Sequence, residues 1–157
     1  MISLEHIVTI ISALTAPLFF GLSLSAPKRS LYVAPLLGLI GYLVFTVVRN
    51  ATGSDYTAAF FGTLVACLPA EAFARIIKTP ATVIIFISII PLVPGIMLYQ
   101  TMLYFAGNDF NSGSTQIIRT LVYSGCMAIA ITLSAMVGKL IYTPLFKKIN
   151  DKTRSKQ

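Results

Sequence analysis

The sequence predicts an all-α, polytopic membrane protein with five transmembrane helices, the fourth broken at a Pro-x-x-Pro-Gly run. Three observations carry that prediction. The 157 residues are 56% hydrophobic and only 11% charged, with mean hydropathy +0.83, whereas soluble domains carry roughly 25% charge. The apolar residues gather into stretches at 7–25, 31–48, 57–74, 81–106 and 117–142, each near the roughly 20 residues needed to cross a bilayer core. The basic residues, finally, fall between these stretches in a strongly one-sided pattern. A single five-span domain over residues 1–157, with a basic tail at 143–157, leaves no room for a soluble catalytic domain.

Each stretch has its own grounds. The first follows Glu5 and His6 with no Lys or Arg before it, so it lacks the basic start of a secretory signal and reads as a span. Thr9, Ser12 and Thr15 form a hydroxyl stripe ahead of Pro17, a pattern that serves helix packing. The second stretch carries Gly38 and Gly41, which allow close helix approach. The third holds Thr63 in mid-span and Pro69 just before the pair Glu71 and Arg75. The fourth contains Pro91, Pro94 and Gly95. The fifth holds Ser124, Ala128, Ser134 and Gly138, and the Ser124-x3-Ala128 pair admits a neighbouring helix. Residues 107–114 read as one long polar loop rich in Gly and Asn. Cys67 and Cys126 fall inside spans, with no metal-ligand spacing around them.

Net charge is +7, but its distribution points to membrane lipid and away from nucleic acid. Lys28 and Arg29 follow span one, Arg75 and Lys78 follow span three, and Lys139, Lys147, Lys148, Lys152, Arg154 and Lys156 close the chain. Only Arg49 and Arg119 fall on the other side. The positive-inside rule then places the N-terminus outside and the C-terminus in the cytoplasm. The basic tail reads as a topology anchor on anionic lipid.

Two regions are candidates for chemistry. Each proline in the fourth stretch removes a backbone donor and crowds the carbonyl four residues back. Opened backbone at membrane depth is tolerated where protein covers it or where it lines a wet cavity. Half-helices of this kind build the binding sites of many secondary transporters, with N-terminal amides facing an anionic group. Pro91, Pro94 and Gly95 are therefore site candidates, with Tyr99, Gln100 and Thr101 one turn on and Ser88 one turn before. The alternative is a plain kink, its freed carbonyls satisfied by these same side chains. Glu71 and Arg75 lie four apart on one helix face, and a carboxylate within a span is expensive to insert. They read as a coupling or gating pair, or alternatively as an interfacial ion pair. No GKS/T loop, HExxH, GxSxG or paired catalytic carboxylates occur, which points away from an enzyme and from any cofactor.

Five spans leave no internal inverted repeat, so a transporter of this type calls for a second unit of opposite orientation. A five-span partner that begins in the cytoplasm would end outside, where this chain begins.

The run Ala74-Arg75-Ile76-Ile77-Lys78-Thr79-Pro80-Ala81-Thr82 and the later Ile90-Pro91-Leu92-Val93-Pro94-Gly95, with Tyr99 a turn beyond, resemble the threonine/serine exporter (ThrE-type) family. Phe20-Gly21, Ala26-Pro27-Lys28-Arg29, Leu31 and Gly38-Leu39-Ile40-Gly41-Tyr42 are similar to the opening of its smaller component. The resemblance implies a bacterial inner-membrane protein: the small subunit of a two-component secondary exporter of threonine or serine. The expected partner is a larger five-span subunit with a soluble N-terminal extension. Split pairs in the family are associated with dicarboxylate export, which makes a dicarboxylate such as succinate the alternative substrate. The expected mechanism is alternating access around the broken helix, driven by the proton gradient. Two rival readings are a non-transporting scaffold for a larger partner and a homo-oligomeric pore.

Overall fold

The computed structural model describes residues 4–154, and the side chains of residues 8–140. Glu5, His6 and the basic side chains beyond Lys139 lie outside the described side chains, and the anchoring role expected of the tail lies there with them. Among the described residues every regular element is helical: α1 (Leu4–Ser23), α2 (Lys28–Thr52), α3 (Asp55–Ile77), α4 (Ala81–Ser88), a 3-10 turn (Ile90–Leu92), α5 (Gly95–Ala106) and α6 (Phe110–Arg154). Lys28–Thr52, Asp55–Ile77 and Phe110–Leu140 are long and apolar enough to cross a membrane, and the pair Ala81–Leu92 and Gly95–Ala106, bent by 59°, makes a fourth if it is one span. Val8–Ser23 is apolar but shorter. The chain is a multi-pass membrane protein.

The helices end in defined caps. Three of them, α1, α3 and α5, finish in a bond from an amide to the carbonyl five residues back: Ala26 to Gly21, Thr79 to Ala74 and Asp109 to Tyr104. This Schellman closure needs a left-handed residue one step earlier, and Ser25 (φ 52°), Lys78 (φ 56°) and Asn108 (φ 58°) supply it without glycine. The polar loop predicted for 107–114 is accordingly much shorter. Asp109 caps α6 by accepting the Ser112 N–H at 3.1 Å, and helix begins at Phe110. The Ser112 hydroxyl, and then its N–H, hold the exposed Asp109 carboxyl below its ordinary range.

Glycine sets the packing. A Cβ added at Gly41 would lie 2.8 Å from Ala66 Cβ and 2.9 Å from the Gly62 carbonyl oxygen; one added at Gly62 would lie 2.9 Å from the Gly41 carbonyl oxygen. Helices α2 and α3 thus meet backbone to backbone, the most extensive contact in the bundle. One turn earlier on α2, a Cβ at Gly38 would lie 2.8 Å from the Ser88 carbonyl oxygen, which brings α4 onto the same helix. Helix α1 leans on α2 through Gly21, and α6 lies along α3. Helix α5 rests on α6. The core they enclose contains Ala59, Cys67, Ala70, Ile84, Ile87 and Leu92. By contrast, Ser124, Gly125 and Ala128 of α6 are exposed, and a Cβ at Gly125 would meet nothing within 4 Å.

Candidate functional site

The chain opens where its prolines remove donors. Helix α4 closes with the Ile89 N–H on the Ile85 carbonyl, and the 3-10 turn follows through Leu92 N–H to Ile89 (2.9 Å) and Val93 N–H to Ile90 (3.3 Å). Pro94 then adopts φ −75°, ψ 54°, and the Gly95 N–H reaches the Val93 carbonyl at 2.7 Å. This is an inverse γ-turn. Ladder bonding resumes with Leu98 N–H on the Pro94 carbonyl. The amides of Ile96 and Met97, in the first turn of α5, are left without a backbone acceptor, as at any helix start.

One freed carbonyl is satisfied from elsewhere in the bundle. The Tyr123 hydroxyl on α6 donates to the Leu92 carbonyl oxygen at 3.0 Å, a buried bond between groups 31 residues apart. Tyr123 is 4% exposed. It covers the opened backbone in the way that a neighbouring helix must at membrane depth.

The break also faces a cavity of about 720 Å³. Pro91, Leu92, Val93, Pro94, Gly95, Ile96 and Met97 form one wall; Tyr42, Phe45 and Arg49 of α2, with Gly53, Ser54, Asp55 and Tyr56 of the following turn, form the second. Gln100 of α5 and Gln116, Arg119 and Tyr123 of α6 form the third. It lies toward the end of the bundle that carries the α2–α3 and α5–α6 turns. A Cβ at Gly95 would meet nothing within 4 Å, so the first turn of α5 is open there. The Arg49 Nε holds Asp55 Oδ1 at 2.7 Å. Gln116 Nε2 donates to Gln100 Oε1 at 3.1 Å, tying α5 to α6. A second, smaller cavity of about 230 Å³ is lined by Tyr104, Asn111, Ser112, Thr115, Gln116 and Arg119.

Of the residues singled out in the sequence, Pro91, Pro94, Gly95 and Gln100 come together at this cavity. Ser88 and Thr101 stand apart from its lining: Ser88 is buried with its hydroxyl on the Ile85 carbonyl at 3.0 Å, and Thr101 gives its own to Met97 at 2.8 Å. Tyr99 is exposed on the outer side of α5 and also stands apart. Glu71 and Arg75 line neither cavity. They sit toward the opposite end, where a Cβ at Gly138 would lie 2.9 Å from Glu71 Cβ and Cγ and 3.1 Å from its Oε2. Helix α6 is therefore seated directly on the Glu71 side chain. One turn earlier on α3 the buried Cys67 thiol meets the Ser134 hydroxyl of α6. A further turn back, the Thr63 hydroxyl is wholly buried and without a hydrogen-bond partner.

Sequence reading missed Arg49, Asp55, Gln116, Arg119 and Tyr123 as cavity residues. One signal was there to be used. Arg119 lies inside an apolar stretch, and an ionisable residue within a span points to function by default.

A family model described as Threonine/Serine exporter, ThrE, matches residues 9–137. Comparisons with curated proteins and with solved structures give no match.

Proposed function

Because the chain belongs to the threonine/serine exporter family, matching it over residues 9–137, we propose that it is the small subunit of a two-component secondary exporter of small polar, carboxylate-bearing metabolites, threonine and serine first. A transport role of the family's type follows from membership. The observation that carries the proposal is the break at Pro91-Leu92-Val93-Pro94-Gly95 opening onto a cavity of about 720 Å³ large enough for such a solute.

In this reading α4 and α5 together make one broken span, and α1, α2, α3 and α6 make the other four. The N-terminus lies outside, the C-terminus lies in the cytoplasm, and the cavity opens outward. The unbonded Ile96 and Met97 amides carry the positive end of α5, which favours a substrate carboxylate. The partner is a larger five-span unit of opposite orientation, and the two alternate access around the break. Glu71, wedged between α3 and Gly138 of α6, is the proton-coupling carboxylate, with Arg75 one turn nearer the cytoplasm. Protonating it changes the charge where α6 is seated on α3, which gives the gradient a place to act on their separation.

Co-expression tests this. Each chain alone should export little, and the pair should export threonine or serine against a gradient. Glu71→Gln should keep the protein in the membrane while flattening the pH dependence of export. Full export by this chain alone would remove the two-component reading, and an unchanged pH profile in Glu71→Gln would remove the coupling role.

A further inference from the structure

We infer that Arg119 is the residue that binds the substrate's carboxylate, that it passes the substrate between the two cavities, and that it selects for a solute bearing one carboxylate. The inference rests on the exporter reading and deepens it.

The charges in the large cavity are few. Arg49 is engaged by Asp55 at 2.7 Å, whereas Arg119 has no ion-pair partner among the described residues and is exposed to the cavity. A guanidinium offers five N–H donors in a planar fork that matches a carboxylate. One uncommitted cation accommodates one carboxylate, and the α5 helix start adds its partial positive charge. A second carboxylate would have to take Arg49 from Asp55 while standing beside that aspartate. An ammonium group finds the opposite: Asp55 is an acceptor for it. The cavity is thus complementary to a zwitterionic or monocarboxylate solute and mismatched to a dicarboxylate.

Position gives Arg119 its second role. Arg119 and Gln116 line both cavities, so they stand at the junction between them. The smaller cavity is otherwise walled by Tyr104, Asn111, Ser112 and Thr115, which present hydroxyls and an amide. A carboxylate can therefore move from one chamber to the other while staying bonded to the same guanidinium. The Gln116–Gln100 hydrogen bond closes α5 onto α6 at this junction and acts as its latch. A lipid-anchoring arginine would need none of this; it would sit facing the bilayer.

The test is transport of labelled threonine by the full chain co-expressed with its larger partner, at matched membrane abundance and with thermal stability in detergent recorded. Arg119→Gln should raise KM by about tenfold or more, the scale of losing a charge-assisted hydrogen bond, with abundance and thermal stability unchanged. Arg119→Lys should fall between, because an ammonium keeps the charge and loses the fork. Serine should compete with threonine in the wild-type pair, and succinate in tenfold excess should not. Wild-type KM in Arg119→Gln, or a loss confined to protein abundance, would overturn the inference and leave a lipid anchor. Succinate competing as well as serine would overturn the selectivity. Absence of any transport by the wild-type pair would overturn the exporter reading itself, and this inference with it.

Discussion

Helix α6 serves two ends of the molecule in opposite ways. Toward the α5–α6 turn it presents Gln116, Arg119 and Tyr123, and a cavity of about 720 Å³ separates it from α2 and from the turn into α3. Toward the other end it presents Ala130, Ser134 and Gly138, all buried, and closes onto Cys67 and Glu71 of α3. One continuous helix is thus a cavity wall at one end and a seal at the other. Long polar side chains hold space open, and small ones let backbones meet. The same contrast appears on α2, where Gly41 touches the Gly62 backbone and Tyr42, Phe45 and Arg49, further along, line the opening. Openness at one end and closure at the other are what the alternating-access mechanism proposed above calls for in one of its states. In that proposal the switch to the other state parts α6 from α3 around Glu71 and narrows the space around Arg119.

The contrast can be broken from the closed side first. Gly41→Leu would push a branched side chain into the Gly62 carbonyl and Ala66, an overpacking cost of about 3 kcal/mol or more. The expected result is loss of folded protein from the membrane, read by detergent solubility and thermal unfolding. A stable Gly41→Leu protein would mean that α2 and α3 are not rigidly joined.

Tyr123→Phe addresses the boundary between the two ends. It leaves the buried Leu92 carbonyl unpaired, at a cost of about 1–3 kcal/mol, so the variant should unfold at lower temperature while keeping its ring packing. Unchanged stability would show that the break is held by its own γ-turn alone.

Thr63→Val has the smallest expected effect and the opposite sign. The hydroxyl is buried without a partner, and removing it at constant shape should raise stability by about 1 kcal/mol. A fall in stability would instead assign the hydroxyl a bonded role in the closed half.

Much of this was legible in the chain, for identifiable reasons. The all-helical class follows from composition, and the family from residues such as Pro91-Leu92-Val93-Pro94-Gly95. The site partners were not legible because they meet across the bundle. Nothing local ties Tyr123 to the Leu92 carbonyl, and that pairing depends on α6 crossing the break. In the sequence Arg49 and Arg119 mark topology, since each is a lone cation on the sparsely charged side; only the fold brings both into one cavity. Tyr99, Gln100 and Thr101 are consecutive and equivalent as sequence candidates, yet successive residues of a helix point about 100° apart, and only Gln100 faces the cavity. The expected loop at 107–114 failed for a local reason: Asp109 is an N-cap, and Gly113 sits within the helix with an added Cβ 2.9 Å from the Phe105 ring.

The central claim is that the broken segment is the transport element and not a tolerated kink. Its most direct test is threonine export by the Pro91→Ala, Pro94→Ala double variant, co-expressed with the larger subunit at matched membrane abundance. Restoring the two amides lets the segment close its own helical ladder, so the account predicts a protein at least as stable as wild type whose export has collapsed. Wild-type export by that variant would contradict it and move the site away from the break.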